Sequence, residues 1–271
     1  MYRNECFRLC WFRIQLATIA ILLFCCVSTV FAQDEFEGFP CVERTIGENE
    51  KKTYFQIGPK TSGEMPEAGW KVLFILPGGD GSADFHGFCR RIHMNALPDG
   101  YIAIQLVAHA WSDDDNRTVW PTEFVNPQKA EFTTETLIAE SLVDVASHVE
   151  FDSKHVFALG WSSGGPPVYA ASMTEGSPIT GSFVAMSVFR EAWMPDLSKA
   201  KEHPYFVFHS PDDWINIDEH ARPAVKALKE AGATAKLQTY RGGHGWRDDP
   251  FGNIRKGVTW LEQQVEDQGD E

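Results

Sequence analysis

The chain alternates between short apolar runs and longer stretches in which apolar and polar residues are mixed. Five of the apolar runs are nearly continuous, at residues 72–76, 101–107, 156–159, 183–188 and 205–209. Runs of about four to eight apolar residues are typical of strands that are buried on both faces of a sheet. Residues 52–57 instead alternate in character, which predicts an edge strand.

The stretches between these runs carry hydrophobic residues at helical spacing. Ile138, Leu142, Val145 and Val149, for example, fall on one face of a helix. Strands that alternate with helices predict an α/β fold, with a mostly parallel central sheet and helices on both faces. In such sheets, ligand sites form at the carboxyl ends of the strands.

Residues 1–32 have the pattern of a secretory signal, with a basic start, an apolar centre and the small-x-small ending Val30-Phe31-Ala32. An uncleaved membrane anchor is the alternative. We expect cleavage after Ala32, which would make the protein secreted or periplasmic, without stable membrane association. The remaining chain then consists of a flexible segment (33–50), one domain (51–265) and an acidic tail (266–271).

The net charge is −14, and residues 1–32 are more basic than the rest, so the mature chain is more acidic still. Such a surface repels nucleic acid and anionic membranes, and neither is an expected partner. Four of the six cysteines lie in the signal, which leaves Cys41 and Cys89. In an exported protein this pair is compatible with one disulfide, or with two unrelated thiols.

A candidate nucleophile follows the apolar run at 156–159. The segment Gly160-Trp-Ser-Ser-Gly164 matches G-x-S-x-G and is followed by residues that can start a helix. On a sharp turn between a strand and a helix, Ser162 would be held in a strained conformation with its hydroxyl exposed above the sheet. A serine hydroxyl is a weak nucleophile until a base removes its proton, so a histidine and a carboxylate are needed elsewhere.

Two later strand ends supply those groups. His244 follows the last predicted strand, within Arg241-Gly-Gly-His-Gly-Trp246, where glycines free the backbone to position the imidazole. The segment after residues 205–209 offers two acids, Asp213 and the alternative Asp212. Only one of them can orient the imidazole.

The fourth chemically distinctive strand end is the glycine loop after residues 72–76, Pro77-Gly78-Gly79-Asp80. Acyl transfer needs hydrogen-bond donors where the carbonyl oxygen becomes an anion. The backbone N–H of Ser163 is one candidate, and that of Gly79 in this loop is the other. A phosphate-binding loop is the rival interpretation, but the chain lacks G-K-[ST] here and is acidic.

These four segments together resemble the α/β-hydrolase superfamily. They are most similar to its small lidless phospholipase/carboxylesterase branch and to secreted esterases related to polyhydroxybutyrate depolymerases. The chain order Ser162, Asp213, His244 is the order in that superfamily. The resemblance implies an α/β-hydrolase fold with no large lid domain and no cofactor. Pro77 stands where many relatives carry histidine, so Gly78 is an alternative oxyanion donor, and Ser210 stands where glycine is usual.

Tryptophans lie beside each candidate residue and in the long loop 108–133. They are interpreted either as packing residues or as walls of an apolar substrate cleft, with Trp161, Trp120, Trp214 and Trp246 as the candidate contacts. In that loop, Trp120 is the expected contact, and its loss is expected to change specificity with little loss of stability. The acidic run 113–115 is interpreted as a solvated loop, so no metal site is predicted.

The sequence thus predicts a secreted serine hydrolase that cleaves small-molecule or polymeric carboxylic esters through an acyl-enzyme. A polyester or feruloyl-type esterase and a serine peptidase of the same fold are alternatives within the enzyme class. A non-catalytic binding descendant of the fold is the alternative outside it. All four strand ends carry the expected groups, which favours the enzyme.

Overall fold

The computed structural model describes residues 34–36, 39–60, 63–108, 118–125 and 130–269. Within them the strands are β1 (Asp34–Phe36), β2 (Phe39–Thr45), β3 (Thr53–Ile57), β4 (Trp70–Leu76), β5 (Tyr101–Leu106), β6 (Phe151–Trp161), β7 (Gly181–Ala185), β8 (Pro204–His209) and β9 (Thr234–Thr239). The longer helices are α1 (His86–Asn95), α2 (Thr134–Ala146), α3 (Gly165–Met173), α4 (Ala221–Glu230) and α5 (Pro250–Gly269). The predicted signal, residues 1–32, lies outside the described residues.

The described strands form one sheet in the order β1-β2-β3-β5-β4-β6-β7-β8-β9. From β5 to β9 every neighbouring pair is parallel, whereas β1, β2 and β3 pair antiparallel at one edge. The carboxyl ends of β4, β6, β7, β8 and β9 therefore meet at the same edge of the sheet. The predicted mostly parallel sheet is confirmed.

Both faces of the sheet are covered. Along β4, Phe74 belongs to an apolar cluster that includes residues of α2, α3 and α4, while its neighbours Leu73 and Ile75 belong to a second cluster that includes residues of α1 and α5. Successive side chains of a strand point to opposite faces, so a strand that is apolar throughout requires helices on both sides. No large lid domain lies within the described residues.

Regular structure extends into both segments that were predicted to flank the domain. The segment 33–50 contributes β2, which pairs with β3 and buries Phe39 and Cys41. Charged residues on the other side of this strand hid the alternation. At the other end, α5 continues through 266–269, so the expected tail is helical up to Gly269.

The possible disulfide is not formed. Cys41 and Cys89 are both buried and, in the described part of the chain, are not bonded to each other. Cys89 lies on α1, and burial raises the pKa of its thiol far above the ordinary value. Both side chains pack in the apolar layer between the sheet and helices α1 and α5, as small hydrophobic residues do.

One strand ends earlier than predicted, and this shapes the site. The apolar run 183–188 leaves the sheet after Ala185, because Met186 has a positive φ of 42°. Ser187 and Val188 therefore follow the end of β7 rather than extending it. Among the described residues, no helix combines the length and the apolar character needed to cross a membrane.

Candidate active site

Ser162 lies on a sharp turn between β6 and α3. β6 ends at Trp161, a short 3₁₀ turn spans Ser162–Gly164, and α3 begins at Gly165. The φ angle of Ser162 is 53°, a conformation that costs a non-glycine residue free energy and persists only when its surroundings enforce it. The hydroxyl of Ser187 donates a 2.7 Å hydrogen bond to the carbonyl oxygen of Ser162 and helps to hold the turn.

The two glycines of the motif are required by close backbone approach. A Cβ atom on Gly160 would lie 2.1 Å from the carbonyl oxygen of Gly164. A Cβ atom on Gly164 would lie 2.1 Å from the carbonyl oxygen of Leu76, at the end of β4. Any side chain at either position would therefore push the turn out of place.

The structure brings the candidate histidine and aspartate to this serine. His244 Nε2 lies 3.1 Å from Ser162 Oγ. On the other side of the ring, His244 Nδ1 lies 2.9 Å and 3.0 Å from the two carboxylate oxygens of Asp213. A carboxylate can only accept hydrogen bonds, so Nδ1 carries the proton and Nε2 accepts one from the serine hydroxyl.

Asp213 is held inside the protein, whereas Asp212 faces solvent. The side chain of Asp213 is 0% exposed, and the backbone N–H of Ile215 donates a 2.9 Å hydrogen bond to it. His209, 3.8 Å away, donates from Nε2 to the carbonyl oxygen of Ile215 instead. Burial lowers the pKa of His209, so this imidazole stays neutral beside the carboxylate.

Two side chains bind backbone groups of the glycine-rich loop that carries His244. The hydroxyl of Tyr240 lies 2.8 Å from the carbonyl oxygen of Gly243 and 3.0 Å from that of Gly245. Burial raises the pKa of Tyr240 well above its ordinary value, so the hydroxyl keeps its proton and can donate. The sulfur of Met186 accepts a 3.2 Å hydrogen bond from the N–H of Gly245.

Ser210 ties this loop to the aspartate loop. Its buried hydroxyl oxygen accepts hydrogen bonds from the N–H groups of Asp212, at 3.1 Å, and Gly243, at 3.3 Å. These are the residues immediately before Asp213 and His244. Sequence reasoning treated Ser210 as a minor departure and gave no role to Tyr240 or Met186.

The glycine loop lies directly against the serine. A Cβ atom on Gly78 would be 2.9 Å from Ser162 Cβ. The carbonyl oxygen of Gly78 accepts from the N–H of Gly81 at 3.0 Å, which closes a turn with Gly79 at a φ of 62°. Because the peptide is trans, the N–H of Gly79 points away from that turn, and it has no acceptor among the described residues.

Two further hydrogen bonds fix this loop. The Ser163 hydroxyl donates to the carbonyl oxygen of Gly79 at 2.8 Å, and the indole N–H of Trp120 donates to that of Pro77 at 3.1 Å. The candidate oxyanion residues Ser163, Gly78 and Gly79 are thus together beside Ser162, and the N–H groups of Ser163 and Gly79 are the candidate donors.

A cavity of about 550 Å³ opens beside the serine. Its described lining consists of Thr118, Val119, Trp120, Thr122, Val125, Ser162, Ser163, Pro166, Pro167, Val188, Trp193, Trp214 and Ile215. Of the four tryptophans predicted from the sequence, Trp120 and Trp214 line it. Trp120 is 3% exposed, and Trp214 is 77% exposed with its ring 5.0 Å from that of His244.

Trp161 and Trp246 lie elsewhere. Their ring centroids are 6.0 Å apart, and both contact Phe88 of α1 in an aromatic cluster on the other side of the serine turn. Neither is among the described residues of the cavity wall. Trp111 and the acidic run 113–115 fall outside the described residues.

Sequence reasoning missed three parts of the cavity wall. Val188 and Trp193 follow the end of β7, a strand end that carried no motif, and Pro166 lies in the first turn of α3. Their signal was position alone, because each lies in the segment that follows a strand whose carboxyl end faces the site. Among the described residues, no group of three or more His, Cys, Asp or Glu side chains is arranged to hold a metal ion.

No model of a known protein family and no curated protein matches the sequence. Solved structures do match. One is MGS-M1, an alpha/beta hydrolase enzyme from a Medee basin deep-sea metagenome library, with 16% identity and a TM-score of 0.62. The match covers 85% of this chain and 100% of that chain.

Two other matches are described as esterases. A structure of a fungal esterase from Rhizomucor miehei is 14% identical, with a TM-score of 0.62, and the match covers 89% of this chain and 87% of that chain. Thermogutta terrifontis esterase 2 is 17% identical, with a TM-score of 0.61, and the match covers 87% of this chain and 96% of that chain. Together with the sheet order and the serine turn, these likenesses establish that the chain has the α/β-hydrolase fold.

Proposed function

We propose that the protein hydrolyses carboxylic esters, with Ser162 as the nucleophile of an acyl-enzyme mechanism. The observation that carries the proposal is the continuous hydrogen-bonded series from Ser162 Oγ through His244 to the buried carboxylate of Asp213. A serine hydroxyl, a base and an orienting acid in this order form the arrangement that activates serine for acyl transfer.

In the first half of the reaction, Ser162 Oγ attacks the ester carbonyl carbon while His244 Nε2 takes the hydroxyl proton. The negative oxygen of the tetrahedral intermediate accepts hydrogen bonds from the N–H groups of Ser163 and Gly79. Asp213 stabilises the imidazolium and keeps Nδ1 protonated. His244 then donates its Nε2 proton to the departing alcohol oxygen, which leaves Ser162 acylated.

In the second half, His244 Nε2 removes a proton from a water molecule, and the resulting hydroxide attacks the acyl-enzyme. The same two N–H groups hold the second oxyanion, and the proton returns to Ser162 Oγ as the acid leaves. The proton transfers use Ser162 and His244, which are already in hydrogen-bonding range of each other. The esterase descriptions of the structural matches support this reaction class over peptide hydrolysis.

We further propose that residues 1–32 direct export and that the protein acts outside the cytoplasm on ester substrates, without nucleic-acid partners. The basic start and apolar centre of that segment, and the acidic charge of the remainder, support this. N-terminal sequencing of the exported protein tests it: a mature terminus at Gln33 is expected. Retention of the whole segment in the membrane fraction would contradict cleavage.

The central test combines turnover with labelling. The purified protein is expected to hydrolyse 4-nitrophenyl butyrate and to form a covalent adduct on Ser162 with a fluorophosphonate, located by peptide mass spectrometry. Ser162→Ala should abolish both, and the matched control Ser147→Ala, at an exposed site, should change neither. Labelling of another residue, or turnover in Ser162→Ala, would refute the assignment.

A further inference from the structure

The cavity beside Ser162 has an apolar wall built from four parts of the chain. Trp120 and Val119 come from the loop before α2, Val188 and Trp193 follow β7, and Trp214 follows β8. Pro166 and Pro167 add the first turn of α3. None of the described residues that line it carries a charged side chain. A charged group placed here would lose its hydration without gaining a partner from these walls, which is costly.

The position of the cavity relative to the serine decides which part of an ester enters it. In a tetrahedral intermediate the carbon bonded to Ser162 Oγ carries three other groups: the oxyanion, the leaving alcohol oxygen and the acyl carbon. The alcohol oxygen must lie next to His244 Nε2, because it receives its proton from there. The oxyanion lies at the N–H groups of Ser163 and Gly79.

The cavity wall includes Ser162 and Ser163, but His244 is not among its described residues. The space therefore opens beside Ser162 and Ser163, and Trp214, whose ring lies 5.0 Å from that of His244, borders it toward the proton donor. The acyl carbon then lies in this space. On the side of Nε2, the His244 side chain is 24% exposed, so the alcohol faces solvent.

The size of the cavity sets the class of acyl group. A closed apolar cavity of about 150 Å³ holds one benzene molecule, and this one has about 550 Å³. Its three tryptophans present flat surfaces that favour an aromatic ring or an extended apolar chain. An acetyl group would leave most of this wall in water.

We propose that this cavity selects the acyl part of the substrate, and that the preferred substrates are esters of uncharged apolar acids as large as an arylalkanoic acid. The alcohol part is only weakly selected. This inference rests on the proposed function and adds to it the substrate class and two specificity-determining residues, Val188 and Trp193.

Two series of esters test the inference on the purified protein. In the first, 4-nitrophenol is kept and the acyl group varies from acetyl through butyryl and octanoyl to 3-phenylpropanoyl, with succinyl as a charged member. In the second, butyrate is kept and the alcohol varies. One methylene in an apolar pocket changes kcat/KM about 10- to 200-fold. We therefore expect kcat/KM to rise more than about tenfold from acetyl to 3-phenylpropanoyl, to fall for succinyl, and to vary less in the second series.

A variant that fills the cavity gives the sharper result. Val188→Trp places an indole at a half-buried position of the wall, and its matched control is Val143→Trp, on the exposed face of α2. Val188→Trp should reduce kcat/KM for the 3-phenylpropanoyl ester at least about tenfold more than it reduces kcat/KM for the acetyl ester. The control should keep the wild-type ranking. Trp193→Ala is expected to reduce the preference for the aromatic acyl ester.

The outcomes separate the two proposals. If kcat/KM does not depend on acyl length, or if Val188→Trp lowers kcat/KM for all esters equally, the cavity is not the acyl site. The proposed ester hydrolysis would still stand. If kcat/KM varies more across the alcohol series than across the acyl series, the cavity binds the alcohol part of the ester and the inference fails. If no ester is hydrolysed and Ser162 is not labelled by a fluorophosphonate, the proposed function itself fails.

Discussion

The hydroxyl oxygen of Ser210 lies 3.3 Å from the backbone nitrogen of Gly243, and this hydrogen bond joins the loop of Asp213 to the loop of His244. The same oxygen accepts the N–H of Asp212 at 3.1 Å. One buried hydroxyl thus sets the spacing between the residues that precede the acid and the base. A glycine at this position could not make either bond.

Ser210→Ala should therefore lower kcat more than it changes KM, because it alters the alignment of His244 and leaves the cavity intact. Losing the shared acceptor costs about 1–3 kcal/mol, which corresponds to a decrease in kcat of about 5- to 150-fold if it is expressed in the transition state. Steady-state kinetics on one ester would measure it.

The matched control is Ser172→Ala. Ser172 is also buried and hydrogen-bonded, to Tyr205, but lies on α3 away from both loops. It should lower the melting temperature without lowering kcat. Equal effects on kcat in the two variants would show that Ser210 acts only through stability.

Asp213→Asn is expected to reduce kcat by about 10⁴-fold, because an amide no longer fixes the Nδ1-protonated tautomer of His244. Asp212→Asn should change kcat by less than about threefold, since its side chain is exposed and only its backbone N–H is used. Comparison of the two purified variants by single-substrate kinetics checks this prediction. The opposite ranking would transfer the orienting role to Asp212.

Trp120 contributes to stability through its buried ring and to the position of the glycine loop through its N–H, and two substitutions separate these contributions. Its ring is 3% exposed, so Trp120→Ala should lower the free energy of unfolding by about 3–5 kcal/mol. This differs from the expectation, based on sequence alone, that the residue could be removed with little loss of stability. Trp214→Ala, which removes a ring that is 77% exposed, should change stability by less than about 1 kcal/mol.

Trp120→Phe keeps most of the ring but removes the N–H that binds the Pro77 carbonyl oxygen. Because that bond holds the loop that carries Gly79, we expect kcat to fall while KM for a short ester is unchanged. Urea denaturation and kinetics on the same preparations distinguish the two effects. An unchanged kcat in Trp120→Phe would mean that the glycine loop does not depend on this bond.

Stability should decrease in acid through His93. Burial lowers its pKa from the ordinary 6.5 to about 4, so the folded chain keeps it neutral. Between these values the unfolded chain binds a proton that the folded chain does not, and the free energy of unfolding falls as the pH decreases. The loss approaches about 3 kcal/mol by pH 4. His203, with a pKa lowered by burial to about 3, acts in the same direction.

Urea denaturation of the wild type and of His93→Phe at several pH values between 7 and 4 isolates this contribution. Carboxylates titrate in both proteins, so the difference in slope belongs to His93. We expect the variant to lose less stability over this range. Identical slopes would contradict a neutral, buried His93.

The sequence was sufficient to predict a sheet covered by helices on both faces and the residues that meet at the carboxyl ends of its strands, because both depend on local sequence patterns. Strand runs reveal burial, and glycines reveal close backbone approach, as at Gly160 and Gly164. The sequence did not predict the positions of Trp161 and Trp246. They were candidate substrate contacts only because they lie next to a motif. Whether a side chain beside a motif faces the cavity or the core depends on how the turn is oriented, which periodicity does not encode.

Two other features could not be anticipated for related reasons. β2 was missed because its buried residues alternate with polar ones over only a few positions, next to Pro40. Tyr240 and Met186 were missed because their partners are backbone groups of the His244 loop, which for Met186 is also distant in sequence. Side chains that bind a loop's main chain leave no motif in the loop itself.

The attachment of the His244 loop also determines how it moves. Three of its glycines have positive φ values, a composition that normally gives a mobile segment. Here residues that follow three different strands form hydrogen bonds with the segment: Met186 after β7, Ser210 after β8 and Tyr240 after β9. The amide hydrogens of Gly243 and Gly245 should consequently exchange with solvent deuterium only when these contacts open. The segment then belongs to the same cooperative unit as the sheet.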